Sequence, residues 1–343
     1  MVIHAALDDR LLRVHGDGDW DGDGSGVETG DTPRMEETLT GHSFECLAAD
    51  GDRVFAGTVE SGLKRSTDGG DTWETVAFDE RVTSVTVGPD GTVWVGTEPS
   101  ALYRLRGGEP EARADLTALP GSDRWSFPPR PHTHHVRWVA VAPDDPDRLY
   151  VAIEAGAFVR STDGGESWEP HPDGARRDNH TVATHPDAPD RVYVAAGDGY
   201  AESGDRGGSW TYPQRGLEHR YVWGLAVDPG DPNRAVVSAA RGARSAHTPA
   251  SAEAYVYRRT GGGDDAGEDG EREGDDWQLA MDGLPEPEGM VRAVLAAGGP
   301  GEFYALTNRG LFGSDDAGRS WIPLDVEWPG SYTEQVGRGL AVV

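Results

Sequence analysis

Nine residues recur along this chain at a spacing that restricts its architecture more than any other feature. Arg65-Ser66-Thr67-Asp68-Gly69-Gly70-Asp71-Thr72-Trp73 returns almost unchanged as Arg160-Ser161-Thr162-Asp163-Gly164-Gly165-Glu166-Ser167-Trp168. Looser copies end on Trp210 and Trp321. Self-similarity at a fixed period marks an array of one small structural unit. With Asp68, Asp163, Asp205 and Asp315 taken as equivalent, the step from Asp163 to Asp205 is 42 residues, and the other two steps are roughly twice as long. Units that have lost the turn must therefore lie between the copies.

A second repeat gives the same period. Val139-Ala140-Val141-Ala142-Pro143, followed by Pro146-Asp147-Arg148-Leu149-Tyr150-Val151, reads as strand, turn, strand. Similar runs surround Pro186 and Pro229, so Pro143, Pro186 and Pro229 are spaced by 43 residues twice. Alternating Val, Tyr and Leu interrupted by Pro-Asp and Gly signals are hairpins, not helices. About four strands per period is a blade of an all-β propeller. Six blades fall at 42–76, 80–117, 134–171, 178–213, 219–281 and 290–324. The leftover strands at 4–7, 10–15 and 340–343 combine into a seventh, mixed-terminus blade that closes the ring and removes sheet edges; six blades is the alternative count. The expectation is one propeller domain over 1–343. The Gly/Asp/Glu run 261–276 cannot bury apolar surface and is expected to be a disordered acidic loop.

The repeated turn, S-x-D-x-G-x-T/S-W, resembles the Asp-box or BNR repeat of sialidases and related propellers. That resemblance implies a turn between a blade's third and fourth strands, on the face opposite the usual active site. Elementary chemistry agrees with a structural role: Asp68 can accept backbone N–H groups, Gly70 supplies positive φ, and Trp73 packs between blades. Asp68, Asp163, Asp205 and Asp315 are therefore structural residues.

Composition narrows the partners. Asp and Glu number 60 against 31 Lys and Arg, a net charge of -29, and Lys64 is the single lysine. Such a surface keeps a protein hydrated in concentrated salt, as in a halophile, and disfavours nucleic acid, which wants a basic face. Cys46 stands alone, so no intramolecular disulfide forms. No signal peptide and no run of ~20 apolar residues is visible. The expectation is a cytoplasmic monomer with no membrane partner.

Functional residues should sit where first strands begin and second strands end, because both meet at one mouth of the central channel. Those positions carry His132, His134, Arg137, Asp178, His180, His219, Arg220, Tyr221 and Arg292, and Glu154, Asp198, Tyr200 and Arg241. His, carboxylate and Arg converging on one pocket point to a ligand site. Three readings follow. In a glycosidase-like hydrolase or carbohydrate binder, Glu154, Asp178 and Asp198 supply acid and base, and Tyr200 or Tyr221 a nucleophile. His134, His180, His219 and Arg137, Arg220, Arg241 and Arg292 then hold a small-molecule or glycan substrate. The Phe/Tyr-Arg-Ile-Pro motif of sialidases is absent, so their arginine triad does not transfer. In a metal-dependent hydrolase or lyase, His132 and His134 share one strand face and, with His180, His219 and Glu154, hold Zn²⁺ or Mn²⁺. In a non-catalytic module, as in propellers resembling photosystem-assembly factors, the mouth grips a protein segment.

Two local features add to this. Asp17, Asp19, Asp21 and Glu28 fit a D-x-D-x-D-G-x5-E calcium loop, although no helices flank it. The proline-rich stretch 120–131 is longer than a blade connection requires and offers Trp125 and Phe127 as stacking surface.

Overall fold

The computed structural model describes residues 1–16, 34–259 and 276–343. The calcium-loop residues and nearly all of the acidic run 261–276 lie outside that description. Seven antiparallel sheets are arranged as the blades of a propeller. Blade one combines Gly339–Val342 with Val2–Ala6, Arg10–His15 and Arg34–Thr40. Its register, Ile3 opposite Val342 and Ala6 opposite Gly339, ties the two chain ends together. The strand Arg34–Thr40 was not anticipated, because its polar MEET core carries no alternation. Blade two runs from Phe44 to Val76 and blade three from Arg81 to Asp115. Blades four (from Val136) and five (from Asn179) have three strands each. Their fourth position is a single bridge, Arg160 to Glu169 and Glu202 to Thr211. Blade six spans Tyr221 to Leu279, and blade seven Val294 to Pro323. No helix among the described residues is long and apolar enough to cross a membrane.

The core lies between blades. Second strands such as Val192–Ala196 and Ala235–Ala240 are buried at every residue, because each faces a neighbouring blade on both sides. They read as unbroken apolar runs for that reason. Between blades three and four, Trp94 and Leu102 pack with Val136, Val139, Val151 and Ile153.

The repeated turns fasten these layers. In blade two, Ser66 Oγ donates to Asp68 Oδ1 (2.7 Å) and accepts the Gly70 N–H (2.8 Å). Asp68 accepts from the Thr72 N–H (2.9 Å) and hydroxyl (2.6 Å). Hydrogen bonds from Thr72 and Ser66 hold the Asp68 carboxyl at about 2, well below the ordinary range. The same set recurs around Asp163 and Asp205. In blade seven the structure corrects the alignment: Asp316, not Asp315, accepts from Ser314, the Ser320 N–H and the Ser320 hydroxyl. The serine fixes the aspartate two residues on, and Asp315 is the intervening position.

Each turn also touches the preceding blade. Arg13 of blade one donates to the Gly69 carbonyl (2.8 Å), Arg113 of blade three to that of Gly164 (3.0 Å), and Arg160 of blade four to that of Arg206 (2.9 Å). The first turn residue is left-handed in every copy, Gly69 and Gly164 being replaced by Arg206 (φ 59°) and Ala317 (φ 60°). The following glycine has no room for a side chain in blade seven, where a Cβ on Gly318 would lie 2.6 Å from Val236 of blade six.

Two stability outcomes follow. Ser66→Ala leaves the buried Gly70 N–H without an acceptor and should cost about 1–3 kcal/mol by urea unfolding; an unchanged midpoint contradicts the fastening role. His4, buried in blade one, titrates at about 4 instead of 6.5, through burial first and then the charges of Arg13 and His15. The unfolded chain takes up that proton first, so stability falls as pH drops from 6.5 towards 4, by roughly 3 kcal/mol at full titration. His4→Phe should flatten that slope.

Candidate functional site

A cavity of about 690 Å³ opens at the channel mouth where first strands begin, at the end opposite the repeated turns. Register breaks shape it. The first strands carry one extra residue near the mouth at Glu45, Thr83, Arg137 and His180, and a longer break at Trp223 and Gly224. A bulge turns an otherwise sheet-bound side chain out of alternation. Glu45, Thr83, Arg137 and Trp223 accordingly line the cavity.

Glu154, immediately after the blade-four second strand Asp145–Ile153, forms the floor with Asp178, which precedes the blade-five first strand. Glu154 Oε2 lies 2.9 Å from His135 Nε2 and 3.7 Å from Arg137 Nε. Burial pushes its carboxyl up, but the His135 hydrogen bond and the surrounding positive charge outweigh this and hold it at about 2. Asp178 accepts the Ala155 N–H (3.2 Å) and is raised to about 6, by burial and then by the charges of Glu154 and Asp198. Beneath them His180 is fully buried. Its Nδ1 lies 2.7 Å from the Val222 carbonyl, so that nitrogen carries the proton. Its Nε2 faces Asp178 Oδ1 at 3.7 Å and has no hydrogen-bond partner among the described residues. One donor atom from each of Glu154, Asp178 and His180 falls within 4.8 Å of the others.

The wall is aromatic. Trp223 lies between Arg137 (4.7 Å) and Arg292 (4.3 Å) and against the His180 ring (4.1 Å). The short helix Ala243–His247 brings Arg244 and His247 to the rim. Arg292 Nε donates to His247 Nδ1 (3.1 Å), which leaves the other ring proton for the Tyr221 oxygen (3.1 Å) and the Tyr221 O–H free to donate. Phe127, Pro128 and Pro129 of the long connection close the opposite side, Phe127 edge-on to His135 at 4.7 Å.

The structure brings Glu154, Asp178, Arg137 and Tyr221 together around the cavity, with His180 beneath the floor. Other sequence candidates lie elsewhere. Tyr200 is corrected from nucleophile to core residue: it is fully buried, packs on Trp277 at 4.9 Å, and gives its hydroxyl to Glu202. Asp198 is exposed and faces Arg176 at 3.9 Å. His134 turns to Ser100 (2.8 Å) and Trp125, while His132 is exposed, so the two do not form a metal pair. His219 stacks on Tyr255 at 4.0 Å outside the cavity, and Arg241 pairs with Glu253 at 3.4 Å. Arg220 is exposed and outside the lining. Arg292 stands behind the wall, donating to the Gly337 carbonyl (2.9 Å). Trp125 packs inward against Gly156. Reasoning from sequence missed Trp223, Arg244, His247 and Arg338. The unusually long segment between the strands Ala235–Ala240 and Ala254–Arg259 was the signal that could have found Arg244 and His247.

No known family profile matches the chain, and no curated protein matches it. Solved structures do. It is similar to the GH74 enzyme of Niastella koreensis, with a TM-score of 0.65 and 17% identity over 93% of this chain and 51% of that one. The GH74 xyloglucanase of Xanthomonas campestris gives 0.63 and 17% over 94% and 52%, so this chain spans about half the length of those enzymes. YCF48 bound to D1 peptide gives 0.56 and 18% over 84% and 83%. At these identities the likeness defines the fold, a seven-bladed propeller, and nothing finer.

Arg292 is 1% exposed and makes no ion pair among the described residues, and burial pulls its proton affinity well below the ordinary value. Its guanidinium nevertheless satisfies the buried Gly337 carbonyl and His247 Nδ1, and a buried polar group left without its partner costs free energy. Arg292→Met should therefore cost about 1–3 kcal/mol by urea unfolding; an unchanged midpoint would show that removing the uncompensated charge offsets the lost hydrogen bonds.

Proposed function

We propose that the mouth pocket binds a small anionic carbohydrate and that the protein is a glycosidase-like hydrolase acting on it. The carrying observation is a reversal of charge. In a chain with 60 acidic and 31 basic residues, the pocket lining holds five arginines (81, 130, 137, 244 and 338) against three carboxylates (45, 154 and 178). Arg81, Arg130 and Arg338 are engaged by Glu45, Glu98 and Asp8, which leaves Arg137 and Arg244 as the cations turned to a ligand. Arginine recognises carboxylate and phosphate groups through paired N–H bonds. The Tyr221, Trp223 and Phe127 rings offer the apolar faces that sugar C–H surfaces pack on, and the Glu154–Asp178 floor offers the place where bond-breaking chemistry could be centred. The fold shared with a xyloglucanase supports a carbohydrate substrate. In this reading the four repeated turns are Asp-boxes, remote from the chemistry, and the acidic surface suits a salty cytoplasm.

The match to YCF48 bound to D1 peptide supports peptide recognition as a second reading, and one experiment separates the two. Aryl glycosides and their uronide counterparts are offered to the protein. Hydrolysis should favour the uronide. Arg244 makes no ion pair among the described residues and is exposed, so Arg244→Ala should leave folding intact. It should raise KM for the uronide about 10-fold, the equivalent of one charge-assisted hydrogen bond, and leave neutral glycosides unaffected. No turnover or binding of any saccharide, with capture of an extended peptide, overturns the proposal.

A further inference from the structure

We infer that Glu154, Asp178 and His180 form a binding site for one divalent first-row cation, Zn²⁺ or Mn²⁺, on the floor of the pocket. This rests on the same pocket as the proposed function and names its cofactor, but it is measured without substrate, so either idea can fail alone.

One donor atom from each residue lies within 4.8 Å of the other two. Ligands held about 2.0–2.2 Å from a common ion stand roughly 3–4 Å apart, so shifts of about 1 Å or less would complete the shell. Two carboxylates and one imidazole are a chemically suitable set: the nitrogen favours Zn²⁺ or Mn²⁺ over Ca²⁺, which takes oxygen.

The His180 ring is fully buried, yet Nε2 has no hydrogen-bond partner among the described residues and faces the carboxylates. An unsatisfied buried polar atom is costly to keep. The opposite nitrogen donates to the Val222 carbonyl at 2.7 Å, which fixes the tautomer and aims the Nε2 lone pair at the site. A ligating histidine is oriented by this same kind of bond. Backbone register adds to the aim, since His180 is the extra residue of its strand's bulge.

His135 bonds Glu154 through Oε2 at 2.9 Å, as the groups around a ligating carboxylate do. Arg137 approaches Glu154 only to 3.7 Å, without a hydrogen bond, and its Nε is otherwise unpartnered. Glu154 and Asp178 both border the cavity, so an ion between them keeps free positions towards a ligand. There it would hold a water or one oxygen of an anionic substrate, with Arg137 alongside.

The test uses the full chain, stripped with chelator and titrated with Mn²⁺ under excess Ca²⁺, which fills loose acidic sites. Free Mn²⁺ is read by electron paramagnetic resonance. The expected result is one Mn²⁺ per chain, displaced by one equivalent of Zn²⁺. Asp178→Asn should weaken binding at least 10-fold and His180→Ala should abolish it. The exposed Glu218→Gln should change nothing. Because His180 is buried, Gly197→Ala provides a second variant that removes no ligand. A Cβ there would lie 1.9 Å from Asp178 Oδ2 and must displace the carboxylate, so Mn²⁺ affinity should fall as well. No tight Mn²⁺ or Zn²⁺ in the wild type, or binding indifferent to Asp178→Asn and Gly197→Ala, overturns the inference.

Discussion

Docking of each blade onto the one before it is the interaction on which this ring depends. A four-stranded blade has two apolar faces and cannot bury either alone, so the ring is stable only if every neighbour is held in register. The repeated turns do this with few atoms. Ser and Asp close the turn on itself, and an arginine of the preceding blade, Arg13, Arg113 or Arg160, binds its exposed carbonyl. The glycine that follows packs against side chains of the preceding blade, Thr38, Leu102, Phe158 and Val236 in the four copies. Pairing of Val2–Ala6 with Gly339–Val342 then closes the circle through the two chain ends.

That rigidity allows the opposite face to be irregular. The first strands that line the channel break register near its mouth, and their extra residues, Glu45, Thr83, Arg137 and His180, are charged or polar. Several features there are expensive for a fold that needed only stability. Among the described residues Arg292 is buried without an ion pair and His180 keeps an unpartnered ring nitrogen, and Ala155 beside Glu154 holds φ at 51°. Such local costs persist where the surrounding structure enforces them, and they concentrate at functional sites. The repeated turns, by comparison, satisfy nearly all of their polar groups.

Much of this architecture was legible because periodicity survives folding. The 42- and 43-residue spacings and the blade boundaries translate directly into sheets. The mixed-terminus blade was readable because its strands had no other partner, although Arg34–Thr40 escaped because only Met35 and Leu39 in it are apolar. The repeat in blade seven slipped by one residue because Asp315 and Asp316 are adjacent, and only the hydrogen bonds to Ser320 separate them. The site was half legible. Strand ends located Glu154, Asp178, Arg137 and Tyr221 near the mouth, but a bulge has no sequence signature, so His180 and Trp223 could not be aimed. Tyr200 was misplaced because a residue beside a strand end can point into the layer between blades as easily as into the channel. His247 and Arg244 arrive on an inserted helix, outside the repeat from which the other positions were read.

The channel mouth, with Glu154, Asp178 and His180 grouped at its floor, is proposed as the working end of the molecule. Crystals grown with Zn²⁺ and measured on both sides of the zinc absorption edge test it most directly. One strong anomalous peak is expected about 2.0–2.2 Å from a carboxylate oxygen of Glu154, one of Asp178, and Nε2 of His180. Zinc confined to the acidic outer surface, with the three side chains unmoved, would contradict it.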